Sequence, residues 1–317
     1  MNTQMLNLIC SIAFTILLGV IILPILRKYK IGQTVRSDGP ESHLKKNGTP
    51  IMGGIMMIIV LTVLIIINGV FKPTLFLALV PILGFGIVGF VDDYKKLVLK
   101  SPDGLSPKLK MLGLLVFSIV FIALYLYVFR LPLVTIVPFL NQPVQLPTVL
   151  FVIFALFILL GTSNSVNLTD GLDGLASGVV AIIMTFFTLE AFKLGNSEMV
   201  TLGIMTVGTC LAFLLFNAHP AKVFMGDTGS LALGGAVAAI SLILNMPLYL
   251  AIVAIVCIID TISVMLQVMY FKITKGKRLF KMAPFHHHLE LSGMKEQVVV
   301  MIFWLITAIA CTIMYFV

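Results

Sequence analysis

Long uninterrupted apolar runs, separated by short polar segments, recur along the whole chain. An α-helix needs about 20 apolar residues to cross the roughly 30 Å hydrocarbon layer of a bilayer. The runs have this length and do not alternate in polarity, as the strands of a membrane barrel would. The pattern therefore predicts ten membrane-spanning helices, at residues 5–26, 51–70, 73–91, 109–129, 148–166, 174–192, 198–217, 229–245, 248–271 and 298–316.

Basic residues lie mostly at one end of these predicted spans. Of the 21 Lys and Arg, 18 fall in or beside the loops 27–50, 92–108, 167–173, 218–228 and 272–297, and only Lys72, Arg130 and Lys193 lie at the other end. Cytoplasmic loops of membrane proteins carry an excess of Lys and Arg. We therefore expect these loops to be cytoplasmic and both termini to lie outside. The first span lacks a basic leader and a cleavage site, so we expect it to be retained.

Composition supports the same class. With 60% hydrophobic residues, 11% charged residues and a mean hydropathy of +1.13, the chain is too apolar for a soluble globular domain. We expect an all-α polytopic membrane protein with residues 1–317 as one domain. The net charge of +8 does not indicate nucleic acid, because the basic residues lie in short loops where they face anionic lipid.

The four cysteines fall inside spans without CxxC spacing, which argues against disulfides. The proline-rich outer segment 130–147 predicts a small hairpin.

Acidic residues accumulate on the same face as the basic ones. Asp92 and Asp93 end the third span, where two adjacent carboxylates repel each other unless a cation such as Mg²⁺ or a nearby lysine neutralises them. Taken alone, this pair could equally mark the membrane surface. A second polar run, 164–174, carries Asp170 and Asp173, which suit Mg²⁺, and asparagines that suit a sugar or a base. Its structural alternative is a polar turn that caps the sixth span.

Two further motifs have the same character. Asp227 opens the eighth span, where unpaired helix N–H groups favour phosphate, although Asp227 or Thr228 could simply be the N-cap. Three successive histidines at 286–288 would point about 100° apart on a helix, a poor arrangement for one shared metal. They could contact phosphate or sugar, or be surface residues. Asp260 lies inside the ninth span, where we expect a structural hydrogen bond to a group such as Gln267 or a neighbouring helix, in preference to the alternative of a catalytic role.

Together these motifs resemble the phospho-N-acetylmuramoyl-pentapeptide transferase family of bacterial membrane enzymes. The similar segments occur in order across nearly the whole chain, at 45–54, 91–96, 164–174, 224–230 and 282–288. The resemblance implies a Mg²⁺-dependent transfer of phospho-N-acetylmuramoyl-pentapeptide from its UDP conjugate to undecaprenyl phosphate, which yields lipid I and UMP. It also implies a location in the bacterial cytoplasmic membrane and a homodimer.

The resemblance also implies roles for individual residues. Asp227 is the expected metal ligand, and Asp92 or Asp93 is expected to position or deprotonate the lipid phosphate, with His286 and His287 also in the catalytic set. Phe224 is a candidate to stack on uracil. The expected substrate-binding residues are Lys45, Lys46, Thr49, Lys100, Lys108, Asn164, Asn167, Asp170, Asp173, Asn217, Phe224, Gln267 and His288.

Several alternatives stay open. A lipid phosphate is already largely dianionic near neutral pH, which favours its direct attack over a covalent route through an Asp. A sibling enzyme that uses UDP-N-acetylglucosamine would keep the acidic clusters. A transporter or flippase would place ionisable residues near the bilayer midplane, where only Asp260 comes close. A structural scaffold has no use for polar clusters on one face.

The ninth span, at about 36 Å, exceeds the hydrocarbon thickness. We expect it to tilt or bend and to leave a groove for the polyprenyl tail.

Overall fold

The computed structural model describes residues 3–28, 46, 48–97, 99, 104–140 and 142–317. Its helices are α1 (Thr3–Lys28), α2 (Gly54–Gly69), α3 (Thr74–Leu97), α4 (Pro107–Ala123, continued by a π-helical turn at Leu124–Val128), α5 (Thr148–Thr169), α6 (Leu175–Lys193), α7 (Ser197–Asn217), α8 (Gly226–Ile243), α9 (Leu250–Val253, after a 3₁₀ turn at Pro247–Tyr249), α10 (Ile255–Ile273), α11 (Phe285–Leu291) and α12 (Glu296–Phe316). Two strands, β1 (Val134–Val137) and β2 (Gln142–Gln145), pair antiparallel and confirm the predicted hairpin.

The predicted class is confirmed, since nine helices of the described chain are long and apolar enough to cross a membrane. The remaining predicted span, 51–70, corresponds to α2, whose 16 residues extend only about 24 Å. The reason lies at its beginning. The N–H groups of Gly53 and Gly54 donate to the carbonyls of Phe224 and Met225, at 2.8 and 2.9 Å. This tie to another segment holds residues 51–53 outside the helix.

The predicted ninth span is broken, as its length suggested. A 3₁₀ turn, α9 and α10 replace one straight helix, and the interruption falls at Ala254. Most of α10 is exposed, and its buried residues are confined to one face: Val256, Cys257, Asp260 and Ser263.

Helix α8 forms the centre of the bundle. It packs against α3 and α5 and is almost entirely buried. Glycines permit this close approach: a Cβ on Gly89 of α3 would lie 2.2 Å from the Asp227 carbonyl oxygen, and one on Gly54 would lie 2.2 Å from the Gly229 Cα. Small residues commonly serve helix contacts in membranes in this way. As a result, the end of α3 and the beginning of α8 meet at one end of the bundle.

Candidate active site

Three carboxylates converge where α3 ends and α8 begins. Asp92 and Asp93 lie near the end of α3, and Asp227 is the second residue of α8. One oxygen from each of the three lies within 4.8 Å of the others. The two adjacent acids are buried, whereas the Asp227 side chain keeps 19% of its surface exposed. Asp227 is therefore the member of the cluster that a ligand could reach most easily.

Asp93 fixes the beginning of α8. Its carboxylate accepts the N–H of Asp227 at 3.2 Å, the N–H of Thr228 at 2.9 Å and the Thr228 hydroxyl at 2.6 Å. Carboxylates satisfy unpaired amides at helix N-termini in this manner. The capping suggested for Asp227 or Thr228 is thus supplied by Asp93 from a neighbouring helix. Because Asp93 holds the backbone that carries Asp227, it determines where the exposed carboxylate lies.

Two lysines and one amide complete this cluster. Lys96 Nζ lies 2.6 Å from Asp92 and 3.2 Å from Asp227, and Lys110 Nζ lies 2.7 Å from Asp227. Asn167 Nδ2 donates to the other Asp227 oxygen at 2.8 Å. Lys96 is one of the lysines close to Asp92 and Asp93 in the sequence that could neutralise them, but neither Lys96 nor Lys110 is among the predicted site residues. The i,i+4 spacing of Asp92 and Lys96 indicates that the two side chains are neighbours on a helix. Lys110 reaches the cluster because α4 packs on α3, and no local motif predicts that contact.

The donor set fits a divalent cation. Hard cations such as Mg²⁺ prefer carboxylate oxygens, and the chain already places two ammonium groups on this cluster. Asp227, with Asp92 beside it, would hold the ion, which would then share the carboxylate charge with Lys96 and Lys110.

The acidic turn, residues 170–174 with Asp170 and Asp173, follows α5 and borders the cluster. Burial, followed by the negative charges of Asp227, Asp93 and Asp173, raises the pKa of Asp170 to about 8. Around neutral pH this group is therefore largely protonated unless a cation lies nearby, since positive charge favours the ionised carboxylate.

A second polar cluster surrounds Lys46. Its ammonium lies 2.7 Å from Asp173 and 2.5 Å from Glu296, and the other Asp173 oxygen faces His219 Nδ1 at 3.0 Å. Asp173, His219 and Glu296 have a spacing that could hold a metal, but Lys46 supplies a positive charge at this place. Glu296 also accepts the N–H of Asp173 at 2.8 Å. The sequence offered no signal for Glu296, which looks there like an ordinary residue at the beginning of the last span.

Lys46 also lies 5.9 Å from the centre of the Phe224 ring. The cluster thereby joins Phe224, the residue predicted to stack on uracil, to two other predicted substrate-binding residues, Lys46 and Asp173. Asn217 is buried behind them, where its amide accepts from Gly174 N–H and Ser177 and donates to the Val223 carbonyl. Its position indicates that it holds this part of the chain together.

The three histidines lie on α11 and face three different partners. His286 is fully buried, with Nδ1 2.9 Å from Asp260, whereas His287 Nδ1 lies 3.0 Å from Glu290. His288 Nδ1 accepts the N–H of Lys281 at 3.2 Å. This divergence agrees with the expected 100° rotation between helix neighbours.

Other predicted positions are less closely connected. Asp260 bonds to His286 of the neighbouring helix α11, as one of the two expected options had it, whereas the Gln267 side-chain oxygen accepts the N–H groups of Leu279 and Phe280. The Asn164 amide donates to the Leu160 carbonyl at 2.8 Å, Thr49 is half-buried beside Lys46, and Lys108 is exposed. Lys45 and Lys100 lie outside the described residues.

The sequence that forms this acid-rich and lysine-rich site is similar to a known class of membrane transferases. Residues 75–245 match glycosyl transferase family 4. Proteins named phospho-N-acetylmuramoyl-pentapeptide-transferase are similar over nearly the whole chain. One from Acetivibrio thermocellus is 48% identical over 97% of this chain and 93% of its own length. One from Clostridium botulinum (strain Alaska E43 / Type E3) is 47% identical over 96% and 94%, and one from Bacillus pumilus is 44% identical over 94% and 92%. The chain belongs to the phospho-N-acetylmuramoyl-pentapeptide transferase family.

Proposed function

We propose that this protein transfers phospho-N-acetylmuramoyl-pentapeptide from UDP-N-acetylmuramoyl-pentapeptide to undecaprenyl phosphate, producing lipid I and UMP for peptidoglycan synthesis. The observation that carries the proposal is the convergence of Asp92, Asp93 and Asp227 with Lys96 and Lys110 at one end of the bundle. Phosphoryl transfer requires stabilisation of phosphate charge and alignment of the two reactants, and this cluster offers groups for both.

In the proposed reaction, an oxygen of the lipid phosphate attacks the phosphorus that carries the sugar. A new P–O bond forms, the bond from that phosphorus to the bridging oxygen breaks, and UMP leaves with the electron pair. A phosphate monoester is largely dianionic near neutral pH, so the attacking group needs no strong base. Bound at Asp227, Mg²⁺ would supply charge neutralisation for the diphosphate.

The protein's own residues divide the remaining tasks. Lys96 and Lys110 contact the exposed acid and lie where they can also face phosphate oxygens. Asp93 positions Asp227 through the first amides of α8, whereas Asp92 contacts Lys96 and accepts the N–H of Leu105. Phe224, with Lys46 and Asp173 beside it, is the proposed base-binding end of the nucleotide site.

The lipid substrate suits the outer face of α10. Val264, Met265, Val268, Met269 and Lys272 line an apolar depression of about 480 Å³ there. We propose that it receives the polyprenyl chain, in a homodimer located in the bacterial cytoplasmic membrane. At the break before α10, Ala254 N–H still donates to the Leu250 carbonyl at 3.0 Å and the Ala254 carbonyl accepts the N–H of Ile258 at 3.1 Å, so the backbone polar groups of Ala254 are paired, as lipid requires.

The test is UMP release by purified protein in detergent with Mg²⁺ and undecaprenyl phosphate. UDP-N-acetylmuramoyl-pentapeptide and UDP-N-acetylglucosamine are offered in parallel, and reactions without the lipid control for hydrolysis. We expect lipid-dependent release only with the pentapeptide conjugate. Release only with UDP-N-acetylglucosamine would assign the sibling reaction, and silence with both would contradict transferase activity.

A further inference from the structure

Asp260 is an unusual residue for the helix that carries it. Helix α10 is mostly exposed, yet Asp260 has no exposed surface and lies in the middle of the single buried face. A buried carboxylate in a membrane-embedded helix costs several kcal/mol unless its oxygens are satisfied. The proposed transfer reaction leaves this acid without a role.

Both oxygens of Asp260 accept from one residue. Oδ1 accepts the backbone N–H of His286 at 3.2 Å, and Oδ2 lies 2.9 Å from His286 Nδ1. An ionised carboxylate only accepts hydrogen bonds, so we infer that Nδ1 carries the ring proton. Carboxylates fix the tautomer and the orientation of an imidazole in this way at metal sites as well. Asp260 therefore holds both the ring of His286 and the first turn of α11.

The opposite edge of the ring touches the acidic turn. His286 Nε2 is buried, and in the described part of the chain it has no hydrogen-bond partner. It packs against Gly171, where an added Cβ would lie only 2.2 Å from Nε2. Gly171 stands between Asp170 and Asp173, and the same short helix α11 carries His287 and His288. The Asp260–His286 pair thus spans from α10 to the acidic turn.

We propose that Asp260 is a positioning residue of the transferase, acting through His286 to set the distance between the acidic turn and the histidine helix α11. The inference rests on the proposed function and deepens it. Full burial separates Asp260 and His286 from solvent. Their effect on substrate therefore passes through the residues they place, Asp170, Asp173, His287 and His288.

The first variant is Asp260→Asn, which keeps the shape of the side chain. With its amide oxygen on the His286 N–H, the Asn side chain would place an NH₂ group opposite Nδ1. Because Nδ1 must then accept, the ring proton moves to Nε2, on the edge of the ring that packs against Gly171. Displacement of positioned groups by about 1 Å can cost about 100-fold in rate. We expect kcat/KM for the UDP-sugar to fall by about 10- to 100-fold, with an unchanged KM for undecaprenyl phosphate. Thr261→Val is the matched control, because it removes the α10 hydroxyl that donates to Ser165 without touching His286.

Two readouts separate positioning from general damage. In ¹⁵N-histidine-labelled protein, which has five histidines, one ring should change from the Nδ1–H to the Nε2–H tautomer in Asp260→Asn, and His286→Asn should assign that signal by its loss. The double variant Asp260→Asn/His286→Asn should be no slower than His286→Asn alone, since residues that act through one another are not additive. Full additivity, or an unchanged tautomer, would overturn the inference.

Gly171→Ala tests the contact from the other side and decides the question if Asp260→Asn does not fold. The new methyl group must displace the ring, so we expect the same selective loss of kcat/KM for the UDP-sugar. Gly161→Ala on α5 is its control, because nothing lies within 4 Å of the added atom. Wild-type kinetics in Gly171→Ala would refute the proposal. Inactive wild-type protein would instead refute the proposed function. The tautomer measurement does not depend on activity, so the two failures can be told apart.

Discussion

At the residue scale, acids that look equivalent in the sequence have different surroundings. The carboxylate of Asp93 accepts three hydrogen bonds from the beginning of α8. The carboxylate of Asp227 is partly exposed and faces Lys96 and Lys110. Asp227 also accepts three hydrogen bonds, but two of them come from lysine side chains, whereas the partners of Asp93 begin helix α8. A metal ion can replace lysine contacts at Asp227 without disturbing the helix, and this difference makes Asp227 the better candidate for the metal ligand.

Asp227→Asn should abolish turnover and leave a folded protein. The substitution keeps the side-chain volume but removes the negative charge, and loss of metal-based charge stabilisation worth several kcal/mol corresponds to about 10³-fold or more in kcat. Turnover measured across a Mg²⁺ titration checks this, with Glu198→Gln as the control because that acid accepts the Thr74 N–H at the other end of α3. Near wild-type rates at limiting Mg²⁺ would remove Asp227 from the metal site.

The sequence predicted the acids of the site better than their partners. Asp92, Asp93 and Asp227 stand in recognisable polar motifs at the ends of apolar runs, whereas Lys110, Glu296 and the Asp260–His286 pair depend on contacts between distant segments. The resemblance implies diphosphate charge balance by Lys45, Lys46, Lys100 and Lys108. The lysines that contact Asp227 are Lys96, which helical i,i+4 spacing also places beside Asp92, and Lys110, which the packing of α4 on α3 brings to the site.

At the element scale, apolar run length predicted nearly every helix, and the late beginning of α2 has a tertiary cause. Helix α2 begins late because Gly53 and Gly54 donate to the segment that carries Phe224. The ninth span is interrupted at Ala254, and the length of that run had indicated a bend. Hydrophobicity reports how much of a chain lies in lipid, but it does not encode hydrogen bonds to a distant loop.

The contact between α3 and α8 leads to a prediction about Gly89. An added Cβ would lie 2.2 Å from the Asp227 carbonyl oxygen, so Gly89→Ala must push α3 away from the start of α8. Overpacking of this kind costs about 1–3 kcal/mol, and the shift also moves Asp93 relative to the amides it holds. We expect a lower Tm in detergent together with reduced kcat. Gly161→Ala should change neither, and an unaffected Gly89→Ala would show that this contact does not place Asp227.

At the scale of the whole molecule, the bundle gathers its chemistry at one end. The end of α3, the turn after α5, the beginning of α8 and helix α11 supply Asp92, Asp170, Asp227 and His287. The outer hairpin lies beyond the opposite end of α4, where the Tyr125 hydroxyl donates to the Pro132 carbonyl at 2.9 Å. A soluble nucleotide sugar and a membrane lipid can meet at such an end, because one approaches from water and the other from the bilayer.

The side of the membrane that this end faces is still a prediction, and it follows from charge. In the span pattern of the sequence, 18 of the 21 basic residues fall in or beside the loops at the end that carries the acidic clusters, so the positive-inside rule predicts that the site faces the cytoplasm. Lys277→Cys, in an exposed loop of that face, should resist a membrane-impermeant maleimide in intact cells and react after lysis. Val144→Cys, exposed on the outer hairpin, should react in both. Wild-type protein controls for labelling of its own four cysteines, which lie within helices. The reverse pattern would mean that nucleotide sugar reaches the carboxylates from outside, which is incompatible with a cytoplasmic UDP-sugar donor.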